Sequence, residues 1–204
     1  EELGLVMVTE NGVIKKTPLA DFEAVRRSGI IALKLKSGDA LRWVAAASVG
    51  TDILIVTRNG QAIRFKERDV RPMGRAASGV TAIRLKKGDK VSSLDIVPGS
   101  IKEGRTLQLL VVMAHGYGKR TPLQAYKVQR RSGSGIKTAK ITAKTGPIAA
   151  ARLITDEEEL LALSTKGQII KTNIKDIRVA SRDTQGVRIM SLKPGDRVAG
   201  IVCL

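Results

Sequence analysis

Residues 53–64 read Ile53-Leu54-Ile55-Val56-Thr57-Arg58-Asn59-Gly60-Gln61-Ala62-Ile63-Arg64: an unbroken apolar run, an Asn-Gly turn, then a segment that alternates apolar and polar. The run has the length and branching of a strand buried on both faces. Asn-Gly is a strong hairpin signal, because a two-residue turn needs positive φ at both central residues. The pattern recurs at Leu5–Lys16, Leu109–Arg120 and Leu160–Lys171, with turn glycines at Gly12, Gly116 and Gly167. A second glycine follows each turn at Gly29, Gly79, Gly135 and Gly186, and a third at Gly38, Gly88, Gly146 and Gly195. Three ordered anchors repeated four times define a repeat protein.

Each repeat reads as four short strands. After the hairpin comes a polar loop, then a third strand (Ile30–Leu35, Val80–Leu85) and a fourth (Leu41–Val44, Val91–Leu94). Ser37-Gly38-Asp39, Lys87-Gly88-Asp89 and Pro194-Gly195-Asp196 sit at the third glycine as tight turns. Four strands in roughly 50 residues is the period of a propeller blade, not of a helical solenoid. The expected fold is all-β: a single propeller-like domain with antiparallel blades at about 1–52, 53–106, 107–159 and 160–204. A blade cannot bury both faces alone, so neighbours must stack. Leu19–Val25 has room for one helical turn after Pro18. Pro98–Gly104 reads as an enlarged loop between blades. Trp43, Phe22 and Phe65 read as core, and Tyr117 and Tyr126 as hairpin and loop residues.

Composition then narrows the partner. In 204 residues, 36 Lys and Arg face 19 Asp and Glu, a formal charge of +17 in a chain that is 43% apolar. That describes a folded protein facing a polyanion. Aromatics at 2% argue against single-strand binding by base stacking. No apolar run reaches membrane-spanning length, no secretory signal opens the chain, and Cys203 is the lone cysteine, which suits a reducing cytoplasm. His115 is the lone histidine, so neither a His/Cys metal site nor a His-based triad is available. Asp156-Glu157-Glu158-Glu159 reads as a solvated acidic turn.

Charge follows the repeat. The first blade carries seven cations against seven anions, the second twelve against five, the third nine against four and the fourth eight against three. Four residues after each turn glycine stands a basic residue: Lys16, Arg64, Arg120 and Lys171. A second basic set precedes the second glycine: Arg26 and Arg27, Arg71 and Arg75, Arg130 and Arg131, Arg178 and Arg182. A positive track spread along an arc suits duplex DNA, because neutralising several phosphates releases counterions and spreads the cost of bending.

Asn11–Thr17, Arg64–Glu67 with Val70–Gly74, Gly116–Thr121 and Ser181–Val187 resemble the C-terminal domain of bacterial DNA gyrase A across nearly the whole chain. The resemblance implies a β-pinwheel whose blades exchange strands. It also implies non-catalytic wrapping of DNA around the rim in support of ATP-dependent negative supercoiling. It further implies that the catalytic tyrosine, ATP and Mg belong elsewhere in the parent topoisomerase, with no cofactor in this segment. The implied partners are double-stranded DNA, the rest of gyrase A and the companion polypeptide gyrase B, in the bacterial cytoplasm at the nucleoid. The family usually has six blades, and these four repeats resemble the last four. Gln129–Gly135 is similar to the family's Gln-Arg-Arg-Gly-Gly-Lys-Gly box but carries Ser132 and Ser134 where the box has Gly and Lys. The expected DNA contacts are Lys15, Lys16, Arg26, Arg27, Arg64, Lys66, Arg71, Arg75, Lys119, Arg120, Gln129, Arg130, Arg131, Lys137, Lys171, Arg178, Arg182 and Arg188. The alternatives are the equivalent domain of topoisomerase IV and a propeller used as a protein-interaction scaffold.

Overall fold

A computed structural model describes residues 3–100 and 103–204. Part of the expected inter-blade loop, residues 101 and 102, lies outside them. The first repeat forms β1 (Gly4–Thr9), β2 (Val13–Pro18) and β3 (Leu41–Ala47). The second forms β4 (Asp52–Thr57), β5 (Gln61–Lys66), β6 (Val80–Thr81) and β7 (Val91–Val97). The third forms β8 (Gln108–Met113), β9 (Tyr117–Pro122), β10 (Ile136–Lys137) and β11 (Ile148–Ile154). The fourth forms β12 (Glu159–Ser164), β13 (Ile169–Asn173), β14 (Val187–Arg188) and β15 (Val198–Cys203). As the apolar run predicts, every residue of β4 is buried.

The sheets run β3-β1-β2-β6, β10-β5-β4-β7, β11-β8-β9-β14 and β13-β12-β15, and the paired strands are antiparallel. The outer strand beyond each of the first three hairpins therefore comes from the following repeat: Val80 pairs with Ile14, Ile136 with Ala62, and Val187 with Gly118. The expectation of four strands drawn from within one repeat is corrected on this point. The third strands are two-residue segments lent to the preceding repeat, and Ile30–Leu35 forms no strand among the described residues.

The glycine anchors are where the loan is made. A Cβ on Gly116 would meet the Met190 carbonyl oxygen at 2.1 Å, and one on Gly60 would meet that of Ala139 at 2.6 Å. From the other side, a Cβ on Gly79 would meet the Ile14 oxygen at 2.6 Å, and one on Gly186 that of Gly118 at 2.4 Å. Backbone packs on backbone there, which only glycine permits.

The Asn-Gly turn also differs from expectation. Arg58 and Asn59 keep negative φ, and Gly60 alone takes φ +86. The Gly60 N–H bonds the Thr57 carbonyl at 3.2 Å, and the Gln61 N–H bonds the Thr57 hydroxyl at 3.2 Å. This is a type I turn closed by a left-handed glycine, and the Thr57 hydroxyl takes the donor that a two-residue hairpin would place in the ladder. Each second strand then ends in a short 3-10 turn: Leu19–Phe22, Glu67–Asp69, Leu123–Ala125 and Ile174–Asp176.

The chain divides into two compact units. One comprises Glu1–Ile55, Ile63–Ser100 and Val128–Gly135; the other comprises Val56–Ala62, Ile101–Lys127 and Ile136–Leu204. The first unit's core gathers Val6, Val8, Ile14, Ile53, Ile55, Ile63, Phe65 and Ile83, with Trp43 packed against it. The second unit's core gathers Leu110, Val112, Ile154, Leu160, Ala162, Ile174 and Met190. Phe65 is fully buried, as expected, and Tyr117 and Tyr126 are buried as well. Phe22, in the first 3-10 turn, is only half-buried.

Candidate nucleic-acid interface

The register of the repeats sorts the basic residues by the job each performs. Parallel bridges join Lys16 to Pro72, Arg64 to Val128 and Arg120 to Val179. One residue before each bridged partner stand Arg71, Lys127 and Arg178, eight residues ahead of the second glycines. All three are exposed, and none has a side-chain hydrogen bond or ion pair among the described residues. Lys127 escaped the reading of the sequence. The signal that finds it is its spacing to Gly135, which matches that of Arg71 to Gly79 and Arg178 to Gly186. Arg26, Arg27, Arg130 and Lys137 are exposed too.

A second group is engaged in holding the fold. Lys15 is fully buried and donates to the carbonyls of Ala32, at 2.6 Å, and Arg75. Burial first, then repulsion from Arg75, pushes its ammonium below the usual lysine range, against the pull of Asp21. Lys119 is its counterpart in the third repeat, fully buried, with Nζ donating to the carbonyls of Ser181 at 2.6 Å and Arg182 at 2.8 Å and to the Thr184 hydroxyl at 3.2 Å. Burial pushes it down to about 8, with Arg182 and Lys137 adding to the shift and Asp183 opposing it. An ammonium tied this way cannot reach a phosphate without giving up these bonds. These two lysines shape the loops that carry the exposed cations.

The residues four beyond the turn glycine are likewise engaged. Lys16 pairs with the buried Glu67 carboxylate. The buried Asp52 carboxylate takes Arg64 at 2.7 Å and Lys66 at 2.9 Å. The Arg120 guanidinium donates to the Ile177 carbonyl at 2.7 Å, the Lys175 carbonyl at 3.0 Å and the Gln108 side chain at 3.1 Å. Lys171, more open, pairs with Glu159 at 2.8 Å.

The loop 129–135 is split in the same way. The Gln129 N–H bonds the Arg64 carbonyl at 2.7 Å. Arg131 donates to the carbonyls of Asp69, at 3.0 Å, and Thr81, while Arg130 extends outward. Ser132 sits at φ +69, the one described non-glycine residue with positive φ. Its hydroxyl donates to Thr81 at 2.8 Å, offsetting a left-handed backbone that costs about 1–2 kcal/mol. Arg182 donates to the Lys137 carbonyl at 2.8 Å, Arg188 donates to the Tyr117 hydroxyl at 3.1 Å, and Arg75 is half-buried.

Lys127, Lys137 and Arg182 come together along a groove of about 930 Å³ whose single carboxylate is Asp183. Hydrogen bonds, first from the Ser181 hydroxyl, hold that carboxylate below its ordinary range. The groove is a concentration of positive charge with one carboxylate to compensate it.

Comparison with known proteins gives a consistent picture. The family described as "DNA gyrase C-terminal domain, beta-propeller" matches residues 5–48, 51–98, 109–155 and 158–204. The DNA gyrase A polypeptide of Mycolicibacterium smegmatis is 41% identical over 199 residues, 97% of this chain and 23% of that protein. The Staphylococcus epidermidis counterpart is 39% identical over 201 residues, 98% of this chain and 22% of that protein. The chain thus spans less than a quarter of these relatives. A solved C-terminal domain of DNA topoisomerase IV superposes with TM-score 0.91 at 25% identity, covering 100% of this chain and 62% of that one. A solved DNA gyrase A C-terminal domain superposes with TM-score 0.86 at 24% identity, covering 99% and 66%.

Proposed function

This chain belongs to the DNA gyrase C-terminal domain family of β-propellers, and we propose that it is a non-catalytic module that binds duplex DNA and bends it along a basic edge. The observation that supports this reading is the equivalent placement of Arg71, Lys127 and Arg178. Each is exposed, each lacks a protein partner among the described residues, and each is set one residue before a strand-bridging position. Cations that meet phosphates without reading bases give sequence-tolerant affinity.

In the parent enzyme this role supports ATP-dependent supercoiling by a complex of gyrase A with gyrase B in the bacterial cytoplasm. The reading assigns strand cleavage, ATP and Mg to other parts of that enzyme. The test is duplex binding across a salt series, followed by ligation of relaxed plasmid with the chain bound. Affinity falling by about 10³–10⁵ between 50 and 200 mM salt is expected if about 6–10 phosphates are engaged. Salt-independent binding overturns the reading. The TM-score of 0.91 to a topoisomerase IV domain favours a second reading, contact without wrapping, which predicts the same salt slope and no change in linking number.

A further inference from the structure

A cavity of about 360 Å³ opens beside the Gly116 turn, lined by none of the residues of the Lys127–Lys137 groove. Its size lies at the small-ligand end of protein pockets, which span about 300–1,000 Å³. Lys144, Arg188, Lys193 and Arg197 line it, all exposed and none with a carboxylate at ion-pair distance among the described residues. The one carboxylate in the wall, Asp196, is already saturated. It accepts from the Ser164 hydroxyl at 2.6 Å, the Thr165 hydroxyl at 2.8 Å, and the N–H groups of Lys166 and Arg197 at 3.0 and 2.8 Å.

The cations rest on a fixed wall. The Tyr117 ring is buried, with Lys144 Nζ 5.4 Å and the Arg188 guanidinium carbon 5.6 Å from its centroid. The Arg188 hydrogen bond holds the Tyr117 hydroxyl below the ordinary tyrosine range despite its burial. Met190 and Leu192 add an apolar side. Preset cations beside an apolar wall suit a ligand that carries several negative charges on a compact tail and an apolar body.

We propose that this cavity binds a free oligophosphate, of the kind carried by a nucleoside triphosphate. A duplex presents its phosphates along a broad convex surface, which the exposed Arg71, Lys127 and Arg178 meet by reaching outward. A concave site lined by four cations is shaped instead for the end of a small molecule. The proposal does not depend on the DNA reading, although Arg188 belongs to both sets of residues.

The experiment is calorimetric titration of the chain with sodium tripolyphosphate and with metal-free ATP, without DNA. One saturable site per chain is expected, with the two ligands competing for it. Lys144→Gln combined with Lys193→Gln should weaken both by at least about tenfold, while Lys86→Gln leaves them unchanged. An unaltered unfolding midpoint of the double variant verifies its fold. No saturable binding, no competition, or full binding by a folded double variant overturns the proposal. If tripolyphosphate never saturates while the double variant loses duplex affinity, the phosphate is the duplex's and the proposal is overturned as well.

Discussion

The buried Lys119 ammonium donates to the Arg182 carbonyl at 2.8 Å, so the backbone of a basic loop in the fourth repeat hangs on a charge in the third. Replacing Lys119 with Met removes both that bond and the cost of burying the charge, so global stability should change little. The local effect is larger, because the Ser181 and Arg182 carbonyls lose the donor that ties their loop to β9. Amide exchange in 181–184 should accelerate at least about tenfold, as read by mass spectrometry. The pH dependence gives a second check. The folded-state value of about 8 lies below the lysine reference of 10.5. Between those values the unfolded chain binds more protons, so wild-type stability relative to Lys119→Met should rise from pH 8 to 10.5.

Arg64 and Arg71 should separate stability from affinity. Arg64→Ala leaves the buried Asp52 carboxylate without its guanidinium, and breaking a buried pair costs about 3–5 kcal/mol. Lys66 remains to compensate in part, so a loss of about 2–3 kcal/mol in urea unfolding is expected. Arg71→Ala, Lys127→Ala and Arg178→Ala should leave the unfolding midpoint unchanged. Each should lower the salt slope of duplex binding by about 1. An unchanged slope in all three would remove the proposed contacts.

Two glycines of similar φ test the strand loan. Gly38 lies at φ +74 with open space where a Cβ would go, whereas Gly186 lies at φ +76 with the Gly118 carbonyl 2.4 Å away. Gly38→Ala should cost only the left-handed backbone term, about 1–2 kcal/mol. Gly186→Ala must also displace backbone and should cost at least about 2 kcal/mol more, measured by chemical denaturation. Equal costs would show that the close approach is not maintained in solution.

Asp196 sets the acid limit of the last hairpin. Burial alone would raise its carboxylate, but hydrogen bonds from Ser164, Thr165, Arg197 and Lys166 outweigh it and hold the group down to about 2. Its folded value lies below the carboxylate reference of 3.8. Its contribution is therefore complete above pH 4 and is lost as pH falls toward 2. Asp196→Asn should flatten that part of the acid-unfolding curve, followed by circular dichroism.

The repeat, the buried first strands of the first three repeats and the outward arginines were legible because each rests on local chemistry: apolar runs, turn glycines, charge at fixed spacing. β12 instead alternates and leaves Leu163 exposed. The loan was not legible from the residues themselves, because Val80-Thr81, Ile136-Lys137 and Val187-Arg188 are too short to carry a strand period. Resemblance alone implied an exchange of strands. Lys15 and Lys119 looked like any basic residue of an alternating strand. The clue to their burial is the apolar residue at the same place in the other two repeats, Ile63 and Ile170. The 3-10 turns share only a loose pattern, Asp at the third place in three of them (Asp21, Asp69, Asp176) and an apolar or aromatic residue at the fourth in all (Phe22, Val70, Tyr126, Ile177). Asn-Gly suits both a two-residue hairpin and the turn that Thr57 closes.

Because each of the first three hairpins is completed by the next repeat, the natural unit of insertion or loss in this chain is a full period with staggered ends. Excising residues from one turn glycine to the next, Gly60 to Gly116, would present the Val187–Arg188 segment to a chimeric second hairpin in the same register. Ending the chain between two repeats would leave the last hairpin without a lent strand, as in the sheet β13-β12-β15. Genes for such chains can therefore lengthen or shorten by recombination inside the hairpin turns, where the joint falls on two interchangeable glycines.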